Sequence, residues 1–335
     1  MQPNYPKREH MPKKIKLISL LIGMAISFYC HSQAADKYPS KPIKVIIPFP
    51  AAGALDAAAR AIAEPLGEKL KQTIILENKP GAGSRLGTEI VANAPGDGYT
   101  LLIATPASTT MAPLLVSSLN YSPDKDLLPL MRVAEIVNIM VVPTSRNINS
   151  VNEFLTWAKN RKEPIRYGSS GIGSADHLVA EFFKQTTGLD LVHVPYKGGG
   201  PAMIDLASGD IDVSFTTYAA ASAVLNSGKI KALAVLTNSR QQFLPTLPTI
   251  NETIPGLSIS NWAGFFTPKN TPLSIREKLF KEISEVSKNP DVRAKANRAG
   301  LEISTSSSIA EFDKDLKDEK RRWSKIIKDA NITPE

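Results

Sequence analysis

The chain has 335 residues, 40 of them Lys or Arg and 32 Asp or Glu, for a formal net charge of +8. Residues 1–34 hold five of the basic residues and one Glu, so the remainder carries about +4, spread over mixed-sign stretches such as 311–328; this argues against nucleic-acid binding. The one cysteine, Cys30, also falls in that N-terminal part, and only His177 and His193 remain among the histidines beyond it, which excludes disulfide or thiol chemistry and gives no reason to expect a metal or another cofactor.

Residues 1–35 read as a signal peptide. Lys7, Arg8, Lys13, Lys14 and Lys16 form a basic start, Ile15 to Tyr29 is an apolar run too short for a comfortable membrane span, and Ser32-Gln33-Ala34 offers small residues to a signal peptidase. Cleavage near Ala34/Ala35 and a periplasmic location follow as expectations. About three hundred residues then remain, enough for two domains.

Strands and helices alternate along that remainder, the signature of an α/β protein with mainly parallel sheets. The first strand, Lys44–Pro48, runs into the small-residue turn Ala51-Ala52-Gly53-Ala54, and a helix over Asp56–Leu70 follows. Strands at Thr73–Glu77 and Thr100–Ala104 flank a helix at Thr88–Asn93. Then come strands at Asn138–Val142, Ile165–Tyr167, Val192–Val194, Val213–Thr216 and Lys231–Leu236, with helices at Val151–Arg161, Asp176–Thr187, Pro201–Ala207 and Ala219–Asn226. After a Pro- and Thr-rich connector, 245–255, the pattern gives one more strand at Trp262–Phe266 and helices at Leu273–Ser287, Pro290–Ala299 and Ile309–Lys328. A chain that ends in helices after a long connector returns to its first domain. The division expected is 36–138 plus 257–335 for domain 1 and 139–256 for domain 2.

Four strand-to-helix turns are built from tiny or hydroxylated residues. In the first, Phe49 to Asp56, no side chain blocks the backbone, and the helix N-terminus points unpaired N–H groups at an anion. Asp56 reads there as a helix cap, a ligand contact or a general base. The second, Ser169-Ser170-Gly171-Ile172-Gly173, precedes Ser174 and His177 and offers amides and hydroxyls to one anionic group. The third is Thr105 to Thr109, with Thr105 and Ser108 as candidate contacts, and the fourth is Lys197-Gly198-Gly199-Gly200. The Gly81-Ala82-Gly83 turn is a connection that borders the cleft at most. A dinucleotide-binding turn is disfavoured for 168–173, because the next strand supplies His193 where an acidic ribose partner belongs. Neither Ser169 nor Ser170 sits in a nucleophile elbow.

The blocks PFPAAGALD (48–56), ENKPGAGSRLG (77–87), DGYTLL (97–102), SSGIGSADH (169–177) and HVPYKGGGPAMIDLASGDID (193–212) stand in the order of a known family. The whole chain beyond the leader resembles the Bug-type receptors, the extracytoplasmic solute-binding components of tripartite tricarboxylate transporters. That resemblance implies a two-domain periplasmic-binding-protein fold, type II-like, that closes over a small organic carboxylate and docks on a membrane permease. It implies no enzyme activity, and ligand contacts at Phe49, Ala51, Ala52, Gly53, Asp56, Thr105, Ser108, Ser169, Ser170, Gly171, Gly173 and His177. One departure stands out: Gly53 is followed by Ala54 and Leu55, where the family loop typically carries two adjacent glycines. The alternatives are a hydrolase using Ser169 or Ser170 with His177, and a sensor that hands its closed form to a membrane signalling protein. A monomer is expected.

Overall fold

The computed structural model describes residues 38–51, 53–172 and 174–329, so the segment read as a signal peptide, Ala52, Gly173 and residues 330–335 lie outside the described residues. Residues 38–40 carry no regular structure. From Lys41 onward the chain builds two sheets.

The first sheet has six strands. Next to its β2 edge is β1 (Ile43–Ile47), a largely β-branched run with side chains buried on both faces, and it pairs in parallel with β2 (Ile74–Asn78) and β3 (Thr100–Ala104). On the far side of β3 the pairing turns antiparallel through β10 (Trp262–Pro268), β4 (Leu127–Ile136) and β11 (Leu301–Ile303). The second sheet orders β7 (Leu191–Pro195), β6 (Ile165–Ser169), β8 (Val213–Ser214), β5 (Ile139–Pro143) and β9 (Ile230–Val235), parallel from β7 to β8 and antiparallel beyond. Both sheets are therefore mixed. Their parallel halves carry the strand-to-helix turns read from the sequence, whereas β4, β5, β9 and β10 are the strands beside the passages from one sheet to the other.

The helices largely follow the expected periodicity: α1 (Ala54–Leu70), α2 (Arg85–Ala92), the short α3 (Ala112–Leu115) and α4 (Pro123–Asp126), then α5 (Val151–Lys159), α6 (Ala175–Thr187), α7 (Gly199–Ser208) and α8 (Tyr218–Asn226). They end with α9 (Leu273–Ser287), α10 (Pro290–Arg298) and α11 (Ile309–Asp329). Helix α1 buries Ala58, Ala59, Ala61, Ile62 and Leu66, and α9 and α10 pack against it. Helix α2 starts three residues earlier than its pattern predicts. Gly87 makes its packing possible, since a Cβ there would come within 2.8 Å of the Lys79 carbonyl and of Pro48 Cα.

Strands β4 and β11 are absent from the sequence reading. Pro129 lacks an N–H and argues against a strand, but β10 shifts register between Phe265 and Phe266, where Phe266 faces Pro129, and pairing continues around it.

The chain passes between the sheets at Val137-Asn138 and again along 236–261. These two passages bond to one another: Leu236 N–H donates to the Asn138 carbonyl at 2.8 Å, and Ile136 N–H, at the entry to the first passage, to the Asn261 carbonyl at 2.7 Å. Helix α11 joins both cores. Phe312 packs on Trp262 and Phe266 in the first, while Trp323, Ile326 and Ile327 enter the second beside Met140, Phe154 and Phe183. Its apolar stripe is the one the periodicity predicts, divided between two partners.

Candidate functional site

The carboxyl ends of β1, β3, β6, β7 and β8 face a common cavity of about 690 Å³. One wall, from the first sheet, is formed by Phe49, Pro50, Gly53, Ala54 and Leu55, by Ala82, Gly83 and Arg85, and by Thr105 and Ala107. The other, from the second, is formed by Ser170, Ile172, Ser174 and Asp176, by Gly198 and Gly199, and by Thr216 and Thr217; Asn138 and Asn261 lie between them. A pocket at the carboxyl ends of strands, shared by two sheets, is where open α/β proteins place a ligand.

Helix α1 supplies the strongest anion-directed feature. Its N-cap, Gly53, contributes no side-chain hydrogen bond, so nothing from that side chain shields the first amides, and Gly53, Ala54 and Leu55 line the cavity. Helix α7 starts the same way: Gly198 offers no side-chain cap, and Gly198 and Gly199 line the opposite wall. Two helix N-termini thus lie on the cavity from opposite sides, each with orphan N–H groups and positive partial charge. Beside β3 the chain takes a single π turn, Ala107–Met111, a geometry that recurs at functional sites.

Of the residues expected to contact ligand, Phe49, Gly53, Thr105 and Ser170 line the cavity. Ala51 is exposed on the first loop and is not among the lining residues; Ala52 and Gly173 lie outside the described residues. Asp56 is buried behind the loop. Its carboxylate accepts from Arg60 Nε at 2.7 Å and from Asn78 Nδ2 at 2.9 Å, and the same Asn78 amide donates to the Phe49 carbonyl. It braces the loop from behind.

Ser108 is fully buried; its carbonyl accepts from the Tyr121 hydroxyl at 2.8 Å, and its own hydroxyl has no hydrogen-bond partner among the described residues. Gly171 takes a φ of 133°, which favours glycine, and brings its amide to Ser169 Oγ.

Ser169 and His177 meet a different arrangement from the one expected. Ser169 Oγ lies 2.6 Å from His193 Nε2, and His193 is stacked between Tyr167 and His177 with centroids 4.8 and 4.1 Å away. Burial, with His177 alongside, lowers the His193 pKa to about 4. The ring and the serine hydroxyl share a hydrogen bond below the loop. Ser169 is wholly buried, so this pair stiffens the loop and presents no nucleophile to the cavity.

Ser170, the cavity-facing serine, is engaged by a carboxylate of the protein itself. Its N–H donates to Asp176 Oδ2 at 2.6 Å and its hydroxyl to Oδ1 at 2.7 Å.

Sequence reasoning missed Arg85 and Asp176, the only ionisable side chains among the described lining residues, as well as Asn138 and Asn261. The signal for Arg85 was its place two residues after the Gly81-Ala82-Gly83 turn. Asp176 was visible in the second motif but read as part of a helix start. Among the described residues no group of His, Cys, Asp or Glu has a metal-ligand arrangement, and no helix is long and apolar enough to cross a membrane.

Two mixed sheets flanked by helices and joined by two passages, with a ligand-sized cavity between strand ends that two side-chain-uncapped helix N-termini line, are the architecture of a solute-binding protein. The family model described as "Tripartite tricarboxylate transporter family receptor" matches residues 58–332, and the chain belongs to that family. It is 31% identical to protein BugT of Bordetella pertussis over 300 residues, covering 88% of this chain and 91% of BugT. Among solved structures it resembles R. palustris Rpa4515 with adipate, at 32% identity and a TM-score of 0.79, covering 89% of this chain and 100% of that one. The periplasmic binding protein BugD superposes with a TM-score of 0.76 at 30% identity, again over 89% of this chain and 100% of the other.

Proposed function

We propose that this protein is a periplasmic receptor that captures a small organic carboxylate in the 690 Å³ cavity and delivers it to the permease of a tripartite tricarboxylate-type transporter. The observation that carries this reading is the pair of side-chain-uncapped helix N-termini, α1 and α7, on opposite walls of one cavity. The adipate held by Rpa4515 supports the ligand class. We take 36–138 plus 257–335 as one lobe and 139–256 as the other, with the two passages as the hinge. Ligand bridging the walls then shifts the lobes toward a closed form that the permease recognises.

Magnitudes permit this without chemistry. Micromolar affinity needs about 8 kcal/mol. Charge-assisted hydrogen bonds contribute about 1.5–3 kcal/mol each, and a helix terminus adds about 0.3–1 kcal/mol, up to about 2 when partly buried. Three or four amide donors drawn from the loops at Phe49–Gly53 and Thr105 and from the first turns of α1 and α7 reach that range after ordering costs; the Ser170 and Gly198 N–H groups are already given to Asp176 and to the Ser170 carbonyl. Asp176 engages both Ser170 donors, so the Ser170 loop contributes only as that contact exchanges.

The test is a thermal-shift screen of small carboxylates against protein unfolded and refolded to remove carried ligand. At one hundred times Kd a ligand adds about 2.7 kcal/mol of stability. A shift for an acid that its amide does not produce supports the receptor reading; no shift for any acid in a correctly refolded sample overturns it.

A further inference from the structure

Arg85 opens α2 on the rim of the cavity, held there because Gly87 lets the helix lie against Pro48 of the first loop. Its guanidinium has no ion pair or hydrogen bond among the described residues, and Glu89, one turn along the same helix, does not pair with it. The one acidic side chain among the described lining residues, Asp176, directs both oxygens to Ser170. The cavity therefore holds an unneutralised cation in addition to its helix N-termini, walled by small residues that exclude little of its field.

Guanidinium presents a rigid planar fork of donors that matches a carboxylate in two parallel bonds. Such a group, left unpaired on a cavity wall, is a recognition element for an anion. We infer that Arg85 is the specificity-determining residue of this cavity, taking the second anionic group of a ligand whose first carboxylate is held by backbone amides. This rests on the receptor reading above and narrows it to acids with two negative charges.

The experiment is calorimetric titration of ligand-stripped wild type, Arg85→Gln and Arg85→Lys with straight-chain diacids of four to six carbons and with their monomethyl esters. Wild type should prefer a diacid over its monoester by about tenfold or more, the equivalent of one charge-assisted contact. Arg85→Gln should lose that preference while binding the monoester as wild type does, and Arg85→Lys should keep part of it. Far-UV spectra should not change and Tm should shift little, since the side chain makes no hydrogen bond or ion pair among the described residues and touches the fold only through its charge beside Tyr121. A preference that survives in Arg85→Gln, equal weakening of diacid and monoester, or a wild type that binds acids without favouring the diacid overturns the assignment. A wild type that binds no acid at all overturns the receptor reading, and the assignment with it.

Discussion

Asn261 Nδ2 donates to Asn138 Oδ1 at 2.9 Å, joining the two passages between the sheets by side chains 123 residues apart. Asn138 spends its own amide on the Phe215 carbonyl at 3.2 Å, and its backbone carbonyl accepts from Leu236 N–H. Both asparagines are nearly buried and both line the cavity. The same two residues thus join the passages and line the cavity.

Asn138→Ala removes one acceptor and one donor at once and leaves the Asn261 amide and the Phe215 carbonyl without these partners. Unsatisfied buried polar groups cost about 1–3 kcal/mol, so a Tm lower by several degrees is expected. Because Asn138 also lies on the cavity floor, carboxylate affinity should fall with it. A variant with unchanged Tm in a thermal melt would show that water satisfies these groups and that the pair does not stabilise the junction of the two passages.

Gly53→Val probes the first wall. Gly53 has an ordinary φ of −81°, and a Cβ would meet nothing closer than the Pro50 carbonyl oxygen at 3.5 Å. The backbone tolerates a side chain there, and the poorer N-cap should cost about 1 kcal/mol or less. Binding is different: the new isopropyl group stands over the α1 amides. Titration should give at least a hundredfold loss of carboxylate affinity with an unchanged far-UV spectrum, and retained affinity would remove this loop from the site.

Asp56→Ala separates bracing from contact. Its carboxylate serves Arg60 and Asn78, and through Asn78 the Phe49 carbonyl, so the loss should appear mainly as stability, about 1–3 kcal/mol. Affinity should fall by only a fewfold, from a looser first loop. Denaturant unfolding together with titration checks both, and a collapse of affinity with stability intact would make Asp56 a direct ligand contact.

What was legible in the sequence follows local chemistry. A β-branched strand, tiny residues and an Ala-rich helix are contiguous, so the β1 turn and its anion-directed N-terminus could be read directly. Arg85 could not be placed, because its position depends on α2 docking through Gly87 onto a loop 39 residues earlier. The Ser169–His193 pair was hidden for a similar reason: the two side chains meet only because β6 and β7 are adjacent, in the register that sets Tyr167 opposite His193. Helical period exposed the stripe Phe312, Leu316, Trp323 and Ile327 but carries no information on which sheet each residue meets. Strand β4 was concealed by Pro129, a residue that local rules weigh against a strand and that a register shift in its partner accommodates.

Glu319 makes stability depend on pH. It projects from α11 with a partly exposed stem and an enclosed carboxylate: Oε2 accepts from Trp262 Nε1 at 3.0 Å and from Thr110 Oγ1 at 3.2 Å, while Oε1 has no hydrogen-bond partner among the described residues. Burial raises its pKa from 4.5 to about 7, against the opposing hydrogen bonds and the nearby Arg322. The folded state therefore binds this proton more tightly than the unfolded state. Its contribution is fully present below about pH 4.5 and is lost as pH rises to about 7, by at most about 3 kcal/mol. His193 works in the other direction at lower pH. Its folded pKa is depressed from 6.5 to about 4, so stability falls as pH drops from about 6.5 toward 4. Glu319→Gln keeps an acceptor for Trp262 and removes the titration. Its stability relative to wild type should rise between pH 5 and 7.5, with the two proteins closest at pH 5. Urea unfolding across that range measures the difference, and a gap that stays constant with pH would mean that the Glu319 carboxylate is ionised throughout, with its charge satisfied in the fold.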